Sequence, residues 1–501
     1  MSNFIINGSV LFDITWFISW PARTGVQRYI RELIRQWPRD RALLPVRVDE
    51  NARLNIVPLE IFSLMEEYFS CEQEEEVSSL AEKIKIYQNK SSFIVNNSDI
   101  GSCSGIILPE PTYNWTQIWY LDSIRKSFPD KLFAIVYDFM PWLHPQYFPG
   151  LDMTFHGIIG YLRFLRKVKN IGFISSKTKS DFENRVLRGT VENPIVIGGG
   201  SDAFDGTTLH PDNSRPEFVS IATVQPHKQH FLILDVFEKL WASGCNARLT
   251  FIGQAGGNLS EDEVARLHRL VETQPLFFWT TNALDDEVKQ ILSRTTALIY
   301  PGTVEGLGLP LLECLRVGIP AIVSNNLPAI EFACGGYVAI DVNFDNLEKA
   351  VRSFLDPAFT KAKRQEIDRN ALPTWKGIAQ STADWIYSSG DHDVLESAGF
   401  PTFGYNQRFA TAKTIHRLNR SEGAAFVQEC FKELFGKDPV GSDVVSWTKA
   451  WERNSSSKLD LILMMISSND FIRAHGVEGI QEWMNGFIFY KELPDYEIIS
   501  D

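Results

Sequence analysis

Apolar residues recur along this chain in two alternating patterns, short continuous runs that suit buried strands and stripes at helical spacing. Residues 9–15 are predicted as a first strand. After the turn Trp20-Pro21-Ala22-Arg23-Thr24-Gly25 comes a helix over 26–36, with Val26, Tyr29, Ile30, Leu33 and Ile34 on one face. Residues 132–136 form a strand that runs into Tyr137-Asp138 and a Pro-marked loop reaching His144-Pro145. Two further strands, at 171–174 and 195–197, lead into a Ser-capped helix and into Gly198-Gly199-Gly200 respectively. The polar, turn-rich stretch 203–217 reads as a linker, beyond which strands at 218–223, 249–253, 276–279 and 297–300 alternate with helices at 231–241 and 309–317. Such alternation predicts parallel sheets covered by helices, in two Rossmann-like halves. The Glu-rich residues 60–90 read as solvated helices without chemistry, and 415–475 as a separate helical segment.

Length and composition narrow the function classes. A chain of 501 residues, 44% hydrophobic, has material for two to four domains. Its net charge of -13 argues against a general nucleic-acid binder, which needs a basic footprint. Six cysteines are scattered without paired spacing, so neither a zinc site nor a disulfide framework is indicated, and a reducing cytoplasm fits. The N-terminus lacks the basic region of a signal peptide, and no run approaches the ~18 to 20 apolar residues of a membrane helix. The expected location is therefore cytoplasmic, with peripheral contact at the inner face of the plasma membrane left open.

The most informative segment is Pro301-Gly302-Thr303-Val304-Glu305-Gly306-Leu307-Gly308-Leu309-Pro310-Leu311-Leu312-Glu313. It places one carboxylate at a strand's carboxyl end and a second on the helix that follows. In open α/β sheets, ligands bind at that end, where helix N-termini present unpaired N–H groups to anions. The plain alternative is an ordinary βα turn with two surface glutamates.

Continued by Cys314-Leu315-Arg316-Val317-Gly318-Ile319-Pro320, the segment resembles the retaining glycosyltransferases of family 4 (glycosyl transferases group 1), whose signature is two glutamates separated by seven residues. The resemblance spans roughly residues 9–390 and implies the GT-B fold, two Rossmann-like doubly wound parallel-sheet domains facing across a cleft. It implies an acceptor domain at 1–205, a nucleotide-sugar donor domain at 214–390 with a return helix after Trp375, a linker at 391–414 and a small all-α module at 415–490. The donor sugar would contact Glu305 and the ribose Glu313, with amides around Gly306, Leu307, Gly308 and Leu309 at sugar and diphosphate. Lys228 would meet the diphosphate, flanked by Thr223 and His227. Asn282 would lie near the nucleobase, and Gly25 in the turn facing the phosphates. Asp138 and His144 would face the acceptor, and Glu305, Asp138 and Lys228 would carry catalysis. The chain departs from the family's pattern at Gln27, Tyr137, Ala222, His227 and Gln229. Loss of the Arg that His227 replaces removes a bidentate phosphate fork.

The implied reaction moves a sugar, with a lean to mannose, from a nucleotide diphosphate sugar to a hydroxyl of a growing glycan or lipid-linked acceptor in bacterial surface polysaccharide or lipopolysaccharide synthesis. No metal and no cofactor beyond the donor co-substrate is expected. The alternatives are a non-catalytic GT-B scaffold and a sugar-nucleotide epimerase. Residues 154–170, with Arg163, Arg166, Lys167 and Lys169 beside Ile158, Ile159, Leu162 and Leu165, suit either anionic lipid or an ordinary surface helix. Asp391-His392-Asp393 reads as solvated linker charge. The C-terminal helices resemble the module termed domain of unknown function 4214, read here as a docking domain for a protein partner.

Overall fold

A computed structural model describes residues 6–389, apart from 72, 92, 149–156 and 213. Towards the C-terminus it describes 414–415, 417–419, 421, 423–453, 458–468, 470–475 and 483. Asp391-His392-Asp393 and nearly all of the expected linker lie outside the described residues.

Two sheets organise the chain. The first holds β1 (Val10–Asp13), β2 (Leu43–Val48), β3 (Leu54–Ile56), β4 (Phe93–Ile94), β5 (Gly105–Leu108), β6 (Leu132–Val136), β7 (Asn170–Phe173) and β8 (Asn193–Val196). Their order is β4-β3-β2-β1-β5-β6-β7-β8. The second holds β9 (Glu217–Ile221), β10 (Arg248–Ile252), β11 (Phe277–Thr280), β12 (Ala297–Tyr300), β13 (Ala321–Ser324) and β14 (Tyr337–Ile340), in the order β11-β10-β9-β12-β13-β14. Connections therefore diverge on either side of β1 and β5 in one sheet and of β9 and β12 in the other, the switch points where a crevice opens at the strands' carboxyl ends.

The parallel arrangement expected from the sequence holds throughout the second sheet and from β2 to β8 in the first. The exception is an antiparallel edge, β2 to β3 to β4. Five residues join β2 to β3, too few for the crossover that parallel strands need. Asp49 shapes that turn by accepting from the Asn51 and Arg53 amides at 3.0 and 2.9 Å, and Ala52 sits at φ 53°.

The first strand is shorter than the sequence pattern suggests. Asp13 Oδ1 accepts from the Thr15 amide at 2.8 Å, an Asx turn that starts the helix Thr15–Ser19 instead of prolonging the strand. The helix Gly25–Gln36 follows, N-capped by Thr24.

Both halves share a core. The return helix, Trp375–Ser388, is capped by Thr374 and lies on Gly25–Gln36, so that Trp375 meets Tyr29 edge-on at 5.0 Å and Trp385 meets Phe133 at 4.9 Å. A fully buried ring of this kind contributes about 3 kcal/mol. In the C-terminal region the helices Gly423–Phe435, Gly441–Arg453 and Lys458–Ile466 pack together, and buried Phe426, Leu434 and Ile462 belong to the same apolar cluster as Leu162 and Leu165 of the first domain.

The helix Ile158–Leu165 bears on the two readings of residues 154–170. Ile158, Ile159, Leu162 and Leu165 are buried, and Lys169 lies 3.5 Å from Asp130 and 3.4 Å from Glu192. As folded, these apolar residues are spent on the protein core and are not offered to lipid; residues 154–156 lie outside the described residues. No helix among the described residues is long and apolar enough to cross a membrane.

Candidate active site

At the switch point of the second sheet, two loops meet. After β9 the chain makes the short turn Pro226–Lys228, and Gln229, in the left-handed region at φ 62°, starts the helix His230–Ala242. After β12 it runs through Gly302 to Gly308, whose φ of 102° only glycine adopts without strain, into the helix Leu309–Val317. The Thr303 amide donates to the His227 carbonyl at 2.9 Å and ties the loops together. Lys228 Nζ then stands 2.5 Å from Glu305 Oε1 and 3.3 Å from the Tyr300 hydroxyl. Glu305 is 8% exposed, so a lone carboxylate here would be costly and the lysine neutralises it.

Gly306 is where the two halves touch. Its carbonyl accepts from Ser175 Oγ at 2.7 Å and Thr178 Oγ1 at 3.3 Å, both at the start of the helix that follows β7. A Cβ at Gly306 would collide with the Tyr137 carbonyl oxygen and stand 3.0 Å from Asp138 Cβ. Asp138, at the end of β6, thus lies directly across from the Glu305 loop. Its carboxyl accepts from the Met140 amide at 2.9 Å. Burial raises its pKa, with Glu305 adding to the rise and Lys228 opposing it.

Glu313, 1% exposed, is met from the opposite domain. Arg28 Nη2 lies 2.8 Å from its Oε1, and the guanidinium also covers the Phe204 ring at 5.2 Å. Burial still holds the Glu313 carboxyl above its ordinary range, against the pull of Arg28. Arg28 is absent from the residues singled out by the sequence, although it stands one position beyond Gln27 in the same turn.

The remaining candidates scatter around this centre. The His227 ring is buried under Tyr147 and Phe148, at 5.2 and 6.1 Å; burial, with Lys228 and His144 nearby, lowers its pKa to about 3. As arranged, it brings no positive charge to a diphosphate. His144, half-buried, lies 6.2 Å from Tyr147, and burial lowers its pKa as well. Asn282 accepts from Gln254 Nε2 at 2.8 Å on the exposed side of the same crevice, and Thr223 is exposed. Gly25 opens the helix with free space where a side chain would be. Gly199 packs on Leu307 and Leu309.

Two departures from the family's pattern have structural explanations. Tyr137 is buried, with its hydroxyl donating to the Pro109 carbonyl at 2.7 Å and its ring edge-on to Tyr29 at 5.3 Å. Gln27 bridges the Gly25 turn, accepting from the Ala22 amide at 2.8 Å and donating to the Trp20 carbonyl at 3.1 Å and to Glu110 Oε1 at 3.2 Å. That last bond reaches the switch point of the first sheet, where Asp13 accepts from Gln117 Nε2 at 2.7 Å. Burial pushes Glu110 up to about 8, against its Gln27 bond and with Asp13 assisting. Nothing local in the sequence distinguishes Glu110 from a surface glutamate.

The arrangement has the GT-B architecture, two α/β domains closing on a cleft lined by strand carboxyl ends. Anabaena HepE in complex with UDP and glucose superposes with a TM-score of 0.51, covering 76% of this chain and 100% of that one at 12% identity. Its complex with UDP-glucose gives the same score at 14% identity. Residues 208–372, which include Lys228, Glu305 and Glu313, match the family model described as Glycosyl transferases group 1. The serotype-specific mannosyltransferase WbdA of Escherichia coli is 32% identical over 143 residues, 27% of this chain and 17% of that protein. The GDP-mannose:cellobiosyl-diphosphopolyprenol alpha-mannosyltransferase of Komagataeibacter xylinus is 24% identical over 240 residues, 44% of this chain and 59% of that protein. The chain thus spans less than two thirds of the curated relatives it matches.

Proposed function

We propose that this chain is a retaining glycosyltransferase that moves a hexose, mannose first among the candidates, from a nucleotide diphosphate sugar to a hydroxyl of a growing glycan or lipid-linked acceptor in bacterial surface polysaccharide synthesis. The observation that carries this reading is the contact of Lys228 with Glu305 at a switch point, opposite Asp138 on the other domain. The mannosyltransferase names of two partial relatives support the choice of sugar, and the second supports GDP as the nucleotide.

In this reading the donor diphosphate displaces Glu305 from Lys228 and takes up its charge together with the amides of 306–309. Glu305 then accepts from a sugar hydroxyl, and Glu313 from the ribose once Arg28 is released. The bond from C1 to the diphosphate oxygen breaks as the acceptor oxygen bonds to C1 on the same face. The acceptor's proton leaves with the departing diphosphate oxygen. Charge stabilisation and positioning supply the acceleration, with Asp138 orienting the acceptor hydroxyl, and no metal is invoked. Exposed Val440, just before the helix Gly441–Arg453, and Val445 on it suit a protein partner.

The test is release of nucleoside diphosphate from a panel of sugar nucleotides that includes GDP-mannose. Slow hydrolysis of one donor, abolished in Glu305→Ala and Lys228→Ala, is the expected result. Absence of donor binding in a thermal-shift assay would favour the non-catalytic scaffold instead.

A further inference from the structure

Beyond the cleft, the first domain carries a polar groove of about 410 Å³ at the carboxyl ends of β1 and β2. Thr15, Arg47, Asp49, Asn51, Gln88 and Asn114 line it, with Ile18 as an apolar patch. Its walls are held in place. Thr15 Oγ1 accepts from the Val48 amide at 2.9 Å and donates to Asp13 at 2.5 Å. The Asp49 side chain closes its own turn and binds Arg53 Nε at 2.9 Å, and Asn114 caps the helix Trp115–Ser127 by accepting from the Gln117 amide. One helical turn beyond Thr116, itself in the lining, stands Trp119, 61% exposed.

We propose that this groove binds the inner sugars of an oligosaccharide acceptor, away from the hydroxyl that reacts. Amide side chains that both donate and accept suit sugar hydroxyls, and the exposed indole of Trp119, outside the lining but on the same helix as Thr116, suits the apolar face of a pyranose that extends past the groove. Free phosphate fits poorly, because Arg53 is already held by Asp49, Arg47 Nε donates to the Lys90 carbonyl at 3.5 Å, and Asp49 and Glu50 balance the two arginines in the same lining. Asn51 stands after β2, three strand spacings from β6 and Asp138, about 14 Å along the sheet edge, whereas Asn114 follows β5, next to β6, so the groove runs outward from beside the proposed reacting centre. The acceptor class rests on the glycosyl-transfer reading above; the presence of a saccharide site does not.

The experiment uses the full chain on a printed array of bacterial surface oligosaccharides and manno-oligosaccharides, with Trp119→Ala and Asn51→Arg as variants. The wild type is expected to retain at least one oligosaccharide but not its terminal monosaccharide, and each variant to lose 10-fold or more in retention. Donor hydrolysis in both variants stays within twofold of wild type. Retention of no glycan by the wild type, or equal retention by both variants, overturns the proposal. Groove-dependent retention in a protein that hydrolyses no donor would leave the saccharide site standing and remove the transferase reading.

Discussion

Arg28 and Glu313, 285 positions apart in the chain, stand 2.8 Å from each other across the cleft, and Glu313 is buried. Removing the arginine leaves that carboxylate without its counter-charge. Arg28→Ala is expected to cost about 3 kcal/mol, the low end for breaking a buried pair, since the Arg28 side chain keeps 27% of its exposure. The sign with pH follows from the raised Glu313 pKa: folding favours its protonated form, so stability falls as pH rises past the unfolded value near 4.5. Without Arg28 that fall steepens. The thermal midpoint of Arg28→Ala should therefore trail wild type further at pH 7.5 than at pH 5, and an equal gap at both would contradict the pairing.

Glu110 has the same pH sign as Glu313 but gives a substitution that should stabilise. Its pKa of about 8 in the folded protein means the native state holds a proton that the unfolded chain releases between about pH 4.5 and 8. Stability contributed by the neutral form is present at low pH and lost across that interval. Glu110→Gln keeps an acceptor for Gln27 Nε2 and removes the ionisation, so it should stabilise by a few kcal/mol, on the order set by the shift, at pH 8 and hardly at all at pH 4.5. Thermal melts at the two pH values decide it; a lower midpoint at pH 8 would count against a neutral Glu110.

Lys228 neutralises Glu305 as folded, and in the proposed function it also meets the donor diphosphate. Lys228→Met should reduce donor turnover by about 100- to 1000-fold, the usual cost of one electrostatic contact to a developing charge. Lys228→Arg should not restore it, because the Tyr300 hydroxyl at 3.3 Å and Glu305 at 2.5 Å leave room for a compact ammonium and not for a planar fork. Steady-state kinetics of both variants with the hydrolysed donor would show this, and full rescue by arginine would refute it.

Gly306 admits the close approach of the two domains. In Gly306→Ala the new methyl meets the Tyr137 carbonyl, so the domains must part locally and the Ser175 hydroxyl loses its acceptor. A larger radius of gyration in small-angle scattering is expected, with unchanged circular dichroism. Turnover should fall about 100-fold, the scale of an ångström's misplacement between reacting groups. Unaltered scattering and turnover together would mean that this contact is not needed.

Much of the framework was legible without coordinates. The run at 297–300, the glycines after it and the apolar helix that follows encode a βα turn locally, and the alternation of such units predicted two α/β halves. The short antiparallel edge was not legible, since β3 and β4 have three and two residues and carry almost no periodicity. Lys228 and Glu305 could each be placed at a strand end from the sequence; their contact required β9 and β12 to be neighbours. Gln27 and Tyr137 read as departures from a pattern, and only their partners, Glu110 and the Pro109 carbonyl, show what they hold together.

By itself, the sequence determined which segments are buried strands, which helices cover them and where glycine must release the backbone, because burial and backbone hydrogen bonding act over a few residues. Tertiary structure alone decided that Arg28 answers Glu313, that Asp138 lies beneath Gly306, and that Asn51, Gln88 and Asn114 share one groove. Those relationships join residues far apart in the chain. They follow from sheet order and domain closure, and local periodicity carries no record of either.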